Sequence, residues 1–183
     1  MSEQEIEKQI QDKGLDAPRL TPELIDASIK GFQPVPTVEL VREFHQTFGH
    51  PTPTTIDTQD QKTRELRVSL IAEELLELCD GLGLILTIAN TEPLNGPIVT
   101  IKQNPNRAEV DMVEVADALA DLDYVVAGAN VVFGLPANRI INEVHGSNMS
   151  KLGEDGKPIY REDGKILKGP NYWKPDIASI LAD

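Results

Sequence analysis

Residues Ser69 to Asp80 read SLIAEELLELCD. At helical period, Leu70, Ile71, Leu75, Leu78 and Cys79 supply an apolar side, while Glu73, Glu74, Glu77 and Asp80 fall within one arc of about 120°. On an ordinary solvated helix, Lys or Arg would stand three or four residues from such carboxylates, because like charges at that spacing repel by roughly a few tenths of a kcal/mol. Here no Lys or Arg occurs between Arg67 and Lys102, so the stripe has no local counter-charge. A hard cation is the simplest partner for it.

A second stripe follows in VDMVEVADALADLDYVVAGANVVFG, Val110 to Gly134, where Glu114, Asp117 and Asp121 stand at i, i+3 and i+7. From Ala108 to Asn138 there is again no Lys or Arg. Two such helices facing each other would have to neutralise or coordinate their buried carboxylates, and a metal would turn them into an all-oxygen site. Asp121 is either an outer carboxylate of that site or a continuation of the stripe.

Working outward, the pattern predicts an all-α chain of four main helices with no long strand. Val38, Val41, Phe44 and Phe48 form one face of a first helix, led in by Pro34-Val35-Pro36, capped by Thr37 and ended by Gly49 and Pro51. Asp57 or Thr58 is expected to cap the helix that carries the glutamates, which runs from near Asp60 into Gly81 or beyond. Thr91 to Arg107 reads as a surface loop with a short strand or edge segment at Ile98 to Ile101. The second acidic helix is expected over Ala108 to Gly134, and Pro136 opens the fourth, with Ile140, Ile141 and Val144 on its inner side. Residues 1–36 form an N-terminal extension of unknown role, with short helices expected over Glu3–Gln11 and from Thr21; residues 37–183 form the main domain.

The tail is different in character. A repeated Glu-Asp-Gly-Lys, at Glu154–Lys157 and Glu162–Lys165, predicts two turns at the ends of a small hairpin. Lys151, Lys157, Arg161, Lys165, Lys168 and Lys174 are six of the 17 basic residues, and they follow a long region almost free of them. An acidic metal site with a basic, turn-rich tail suits a metal-bound polyphosphate over which the tail folds. Asn148 and Lys151, three residues apart at a helix end, and Lys168 in the tail are candidate phosphate and sugar contacts. Trp173 is expected to pack the tail onto the body or onto another subunit.

Composition excludes several classes. A net charge of -13 over 183 residues argues against nucleic acid polymers and anionic membrane surfaces as partners, while leaving free nucleotides open. Cys79 stands alone, so there is no disulfide framework, and its apolar position makes it a core residue. The N-terminal residues lack the apolar core of a signal peptide, and the greasy run near Gly81 to Ala89 is too short to span a bilayer; a cytoplasmic protein is expected. Neither acidic helix carries Glu-x-x-His, which argues against a di-iron bundle. His45 and His145 read as structural rather than metal ligands, since a hard cation prefers oxygen.

Glu73-Glu74-x-x-Glu77 followed by Glu114-x-x-Asp117 resembles the two acidic motifs of the MazG-like all-α nucleoside triphosphate pyrophosphohydrolases, the group that includes phosphoribosyl-ATP pyrophosphohydrolase and the dimeric dUTPases. The first helix, VREFHQTFG, and the tail from Val144 to Ile177 resemble a MazG-like subgroup of bacteria and phages. The gap between the two motifs is longer here than in compact members. The resemblance implies a four-helix-bundle-type fold, assembled as a homodimer or homotetramer, that binds Mg²⁺ or Mn²⁺. It implies that water attacks the α-phosphorus of a nucleoside triphosphate, releasing monophosphate and pyrophosphate. It makes Glu74, Glu77, Glu114 and Asp117 the principal ligands, with Glu73 either holding a second ion or acting as base, and Phe44, His45 and Phe48 candidates for the nucleobase. Phe44 and Phe48 at i and i+4 fit core packing equally well. The substrate is left between dUTP and a purine deoxynucleotide such as dGTP. A noncatalytic, regulatory metal–nucleotide-binding protein is the alternative.

Overall fold

In a computed structural model of the protein, residues 35–91, 96–107 and 109–182 are described. The helices expected over Glu3–Gln11 and from Thr21 lie outside them. Among the described residues there are five helices and one two-stranded sheet: α1 Thr37–Phe48, α2 Gln61–Gly81, β1 Leu84–Thr91, β2 Gly96–Gln103, α3 Met112–Val132, α4 Ala137–Met149 and the short α5 Ile177–Ala182. The chain is therefore mainly helical, as expected. No single helix among the described residues is long and apolar enough to cross a membrane.

The described residues form two units, one of 35–44 with 59–129 and one of 45–58 with 130–182; the division falls within α1 and near the end of α3. In the first unit, the Thr37 hydroxyl donates to the Asp123 carboxylate at 2.6 Å, and the Phe44 ring meets Tyr124 edge-on, with centroids 5.9 Å apart. Thr37, Val41 and Phe44 stand at i, i+4 and i+7, so one face of α1 meets α3 around Asp123 and Tyr124, with Val41 fully buried. Thr37, expected as the cap, is the first residue of the helix, and the Pro36 carbonyl accepts from the Glu39 N–H at 2.8 Å and the Leu40 N–H at 3.4 Å. Phe48, expected on the same apolar face, is exposed instead.

The helix α2 begins at Gln61, where it is expected, but its cap is neither Asp57 nor Thr58. Asp60 is the cap: its carboxylate accepts from the Thr63 N–H at 2.7 Å, which holds its pKa below the usual carboxylate value, the backbone hydrogen bond contributing most. Gln59, at φ 57°, turns the chain into that cap, and neither Asp57 nor Thr58 does so. Arg67 is buried within α2, its Nε has no acceptor among the described residues, and burial lowers its pKa.

The largest departure from the helical reading is the sheet. Beyond Gly81 the chain turns at Gly83, φ 67°, and runs as an antiparallel hairpin pairing Leu84 with Gln103 through Thr91 with Gly96. The surface loop expected from Thr91 is thus largely β2. Apolar runs of four to eight residues suit a strand or a buried helix equally by period alone; here the β-branched Ile85, Thr87 and Ile88 face Lys102, Thr100 and Val99 across the pair.

In the second unit, Val131, Val132 and Ser147 are buried. Gly134, at φ 65°, ends α3 where an added Cβ would stand 2.2 Å from the Thr55 carbonyl oxygen, so only glycine fits. The tail makes two turns at Gly156 and Gly164, both at positive φ, and Tyr160 pairs with Ile166 across the second of them. Trp173 ties the tail to α4: Ser147 donates its hydroxyl to the Trp173 carbonyl at 2.8 Å, and the Trp173 N–H donates to the Ser150 hydroxyl oxygen at 3.1 Å.

Candidate active site

The two acidic stripes meet in the first unit. At the end of α2 the Gly81 carbonyl accepts the Asp111 N–H at 2.9 Å, and the Asp111 carboxylate caps α3 by accepting from Val113 at 3.0 Å and Glu114 at 3.3 Å. An added Cβ on Gly81 would lie 3.1 Å from the Val115 backbone nitrogen and 3.3 Å from the Glu114 Cβ. A glycine at the last residue of α2 therefore sets how closely the first turn of α3 approaches. The helices run antiparallel, so Asp80 and Glu77 face Glu114 and Asp117, and Glu74 comes under the influence of Asp117 and Asp121.

Glu77, Asp80, Arg107, Glu114 and Asp117 line a cleft of about 290 Å³. Three of the five expected ligands, Glu77, Glu114 and Asp117, thus share one wall-to-wall space. Glu74 and Glu73 stand about one turn back along α2. Burial pushes the Glu74 carboxyl above its usual pKa, and the charges of Glu77, Asp121, Glu73 and Asp117 push it further. Around Glu74 the carboxylates repel one another as the stripe predicts.

At the other end the expectation of an uncompensated cluster is corrected. Arg107, on the segment that follows β2, bridges the carboxylates of Asp80 and Glu114 and lies 4.0 Å from that of Asp111. Hydrogen bonding to Glu114 first, and then to Asp80, favours its charged form. The counter-charge missing from each helix is delivered by a residue 27 positions from Asp80. Its only trace in the sequence is that Arg107 is the last basic residue before the second stripe.

The donor set is all carboxylate oxygen, the chemistry that suits a hard divalent cation. The side chains ring the cleft rather than meet at a point: among the described residues no group of three His, Cys, Asp or Glu side chains is placed to hold a metal ion. Mg²⁺ needs only one or two direct carboxylates when waters and substrate phosphates complete its shell, so the donors fit such an ion arriving with its substrate.

The candidate substrate contacts are placed as follows. Phe44, 38% exposed, belongs to the first unit with the cleft. His45, Asn148, Lys151 and Lys168 belong to the second. His45 is only 3% exposed; its Nδ1 is 3.4 Å from the Pro51 carbonyl oxygen and its ring is 5.2 Å from that of His50. Lys151 donates its ammonium to the Asn148 side-chain oxygen at 2.7 Å, so the two point the same way, as their spacing predicts. The Lys168 ammonium sits over the Tyr172 ring, 4.2 Å from its centre.

Comparison with known proteins bears on the same residues. An uncharacterized protein, L479, of Acanthamoeba polyphaga mimivirus is 28% identical over 134 residues, 71% of this chain; the chain spans 41% of that relative's length. The crystal structure of a candidate NTP pyrophosphohydrolase from Exiguobacterium sp. 255-15 is 25% identical, covering 80% of this chain and 92% of its own, with a TM-score of 0.36, too low to carry an argument. The model of the phosphoribosyl-ATP pyrophosphohydrolase family matches residues 41–148, more than half of the chain and all of both acidic helices. The chain belongs to the phosphoribosyl-ATP pyrophosphohydrolase family, within the MazG-like superfamily of pyrophosphohydrolases.

Proposed function

We propose that this protein hydrolyses a nucleoside triphosphate between its α and β phosphates, giving a monophosphate and pyrophosphate. The observation that carries the reading is the single cleft into which α2 and α3 bring Glu77, Glu114 and Asp117, within a chain of this family. Glu74, Glu77, Glu114 and Asp117 are the residues that would hold Mg²⁺ or Mn²⁺. The ion, when bound, supplies Lewis acidity and neutralises polyphosphate charge.

The chain's own residues do the rest. Glu73, exposed on α2 beside Glu74, accepts the proton of the attacking water, or takes part in holding a second ion. The water oxygen forms a bond to the α-phosphorus while the bond from that phosphorus to the bridging oxygen breaks, and pyrophosphate leaves with the electron pair. Lys151, steadied by Asn148, and Lys168 are the tail's contacts to phosphate and sugar. Phe44 offers the ring for the nucleobase. His45, next to it on α1, is the second candidate contact for the base.

The reading includes a deoxynucleotide substrate, dUTP or a purine such as dGTP, a pool-controlling role in the cytoplasm, and a homodimer or homotetramer. Supporting the oligomer, Val68, Ile88, Ile101 and Phe48 are each exposed by 60% or more. The test is a panel of ribo- and deoxynucleoside triphosphates, dUTP included, incubated with Mg²⁺ or Mn²⁺, with the products separated. Monophosphate and pyrophosphate from one or a few bases is the expected result. Metal-dependent nucleotide binding without turnover of any would instead favour a regulatory binding protein.

A further inference from the structure

The segment that carries Arg107 is pinned to the end of α2 on both sides. Before it, the Asn104 N–H donates to the Gly83 carbonyl at 2.7 Å, the Asn106 N–H to the Asn104 side-chain oxygen at 3.0 Å, and the Arg107 N–H to the Asn104 carbonyl at 3.3 Å. After it, the Asp111 N–H holds the Gly81 carbonyl. The Arg107 backbone is thus fixed at the cleft, and the long side chain is the part able to move. That side chain is 29% exposed and spends both arms of its guanidinium on Asp80 and Glu114.

Those two partners differ in role. Glu114 belongs to the motif that would hold the metal; Asp80 lines the cleft but is outside that motif. Glu114, if it held a divalent cation, would bring like charge against the guanidinium and weaken that arm, while Asp80, outside the motif, would keep the other. The same planar fork that matches a carboxylate matches the non-bridging oxygens of a phosphate. Polyphosphate arriving with the cation would enter a cleft whose other described walls are acidic, and among the described residues Arg107 is the only basic one lining it.

We propose that Arg107 is a polyphosphate-binding residue of this cleft, parked on Asp80 and Glu114 in the free protein and transferred from Glu114 to phosphate when a metal–polyphosphate complex binds. This inference rests on the reading of the cleft as a metal–nucleotide site, but it concerns a residue outside the acidic motifs.

The test uses binding rather than turnover. Mn²⁺ alone, and then inorganic pyrophosphate in saturating Mn²⁺, are titrated calorimetrically into the full-length protein and into Arg107→Ala, Arg107→Lys and Asp80→Asn. In Arg107→Ala, Mn²⁺ alone is expected to bind at least as tightly as in the wild type, because a competing cation is gone. Pyrophosphate is expected to bind about tenfold or more weaker, with Arg107→Lys between the two. Asp80→Asn, which loosens the parked arm without removing the guanidinium, is expected to keep pyrophosphate affinity. Pyrophosphate affinity within about twofold of wild type in Arg107→Ala, a loss of Mn²⁺ binding in that variant, or a loss of pyrophosphate binding in Asp80→Asn would each overturn the inference. A wild-type protein that binds neither Mn²⁺ nor pyrophosphate would remove the metal–nucleotide reading itself, and the inference with it.

Discussion

The Asp111 N–H donates to the Gly81 carbonyl at 2.9 Å, joining the last residue of α2 to the cap of α3. That one bond sets Glu77 and Asp80 against Glu114 and Asp117. The absence of a side chain on Gly81 is what permits it, since the nearest atoms to an added Cβ are the backbone and Cβ atoms of α3.

Gly81→Ala is therefore expected to lower stability by about 1 kcal/mol or more, because helix backbone yields less readily than the tip of a flexible side chain. Gly81→Val should cost more and should reduce Mn²⁺ affinity by moving Glu114. Urea unfolding and metal titration of both variants check this; an Ala variant as stable as wild type would show that the helices have room to spare.

Glu74→Gln is expected to cut turnover on the order of a hundredfold or more at saturating Mg²⁺, by removing one of the proposed metal ligands. In metal-free buffer the same substitution should stabilise the fold at neutral pH. The sign follows from the raised pKa: a carboxyl that is harder to ionise in the folded state destabilises that state above its folded pKa. Stability is recovered as pH falls through that value toward the ordinary 4.5. Unfolding with chelator between pH 7.5 and pH 5 should thus show the wild type gaining on Glu74→Gln as the solution is acidified. A constant difference would mean that the fold does not raise the Glu74 pKa.

Ser147→Ala removes the hydroxyl that holds the Trp173 carbonyl from a buried position and is expected to cost about 1 kcal/mol. Since Trp173 is the sole tryptophan, its fluorescence reports the tail directly, and a red shift should accompany the loss. An unchanged spectrum would mean that the ring's packing against Gly146 suffices.

Arg67→Met exchanges a buried guanidinium, whose Nε has no acceptor among the described residues, for an apolar side chain of similar length. The expected result is a gain on the order of 1 kcal/mol in unfolding free energy. A loss would reveal an acceptor that Arg67 meets in the working protein.

Helical periodicity is a local property, so it was enough to place Glu73, Glu74 and Glu77 on one helix, Glu114, Asp117 and Asp121 on another, and to make the chain mainly helical. The same locality explains what went astray. Leu84 to Thr91 has the composition of a strand and of a buried helix alike, and only pairing with Gly96 to Gln103 decides between them. Asp57, Thr58 and Asp60 are all competent caps; the left-handed turn at Gln59 selects Asp60.

Counter-charge could be counted along each helix but not across the fold. By itself the sequence determined which carboxylates share a helix face, because that depends on residues three and four apart. Only the tertiary structure decided that Asp80 and Glu114 share one cation. That outcome depends on a hairpin returning the chain to the end of α2 and on a glycine small enough to let α3 approach, and neither distance is written in any local pattern.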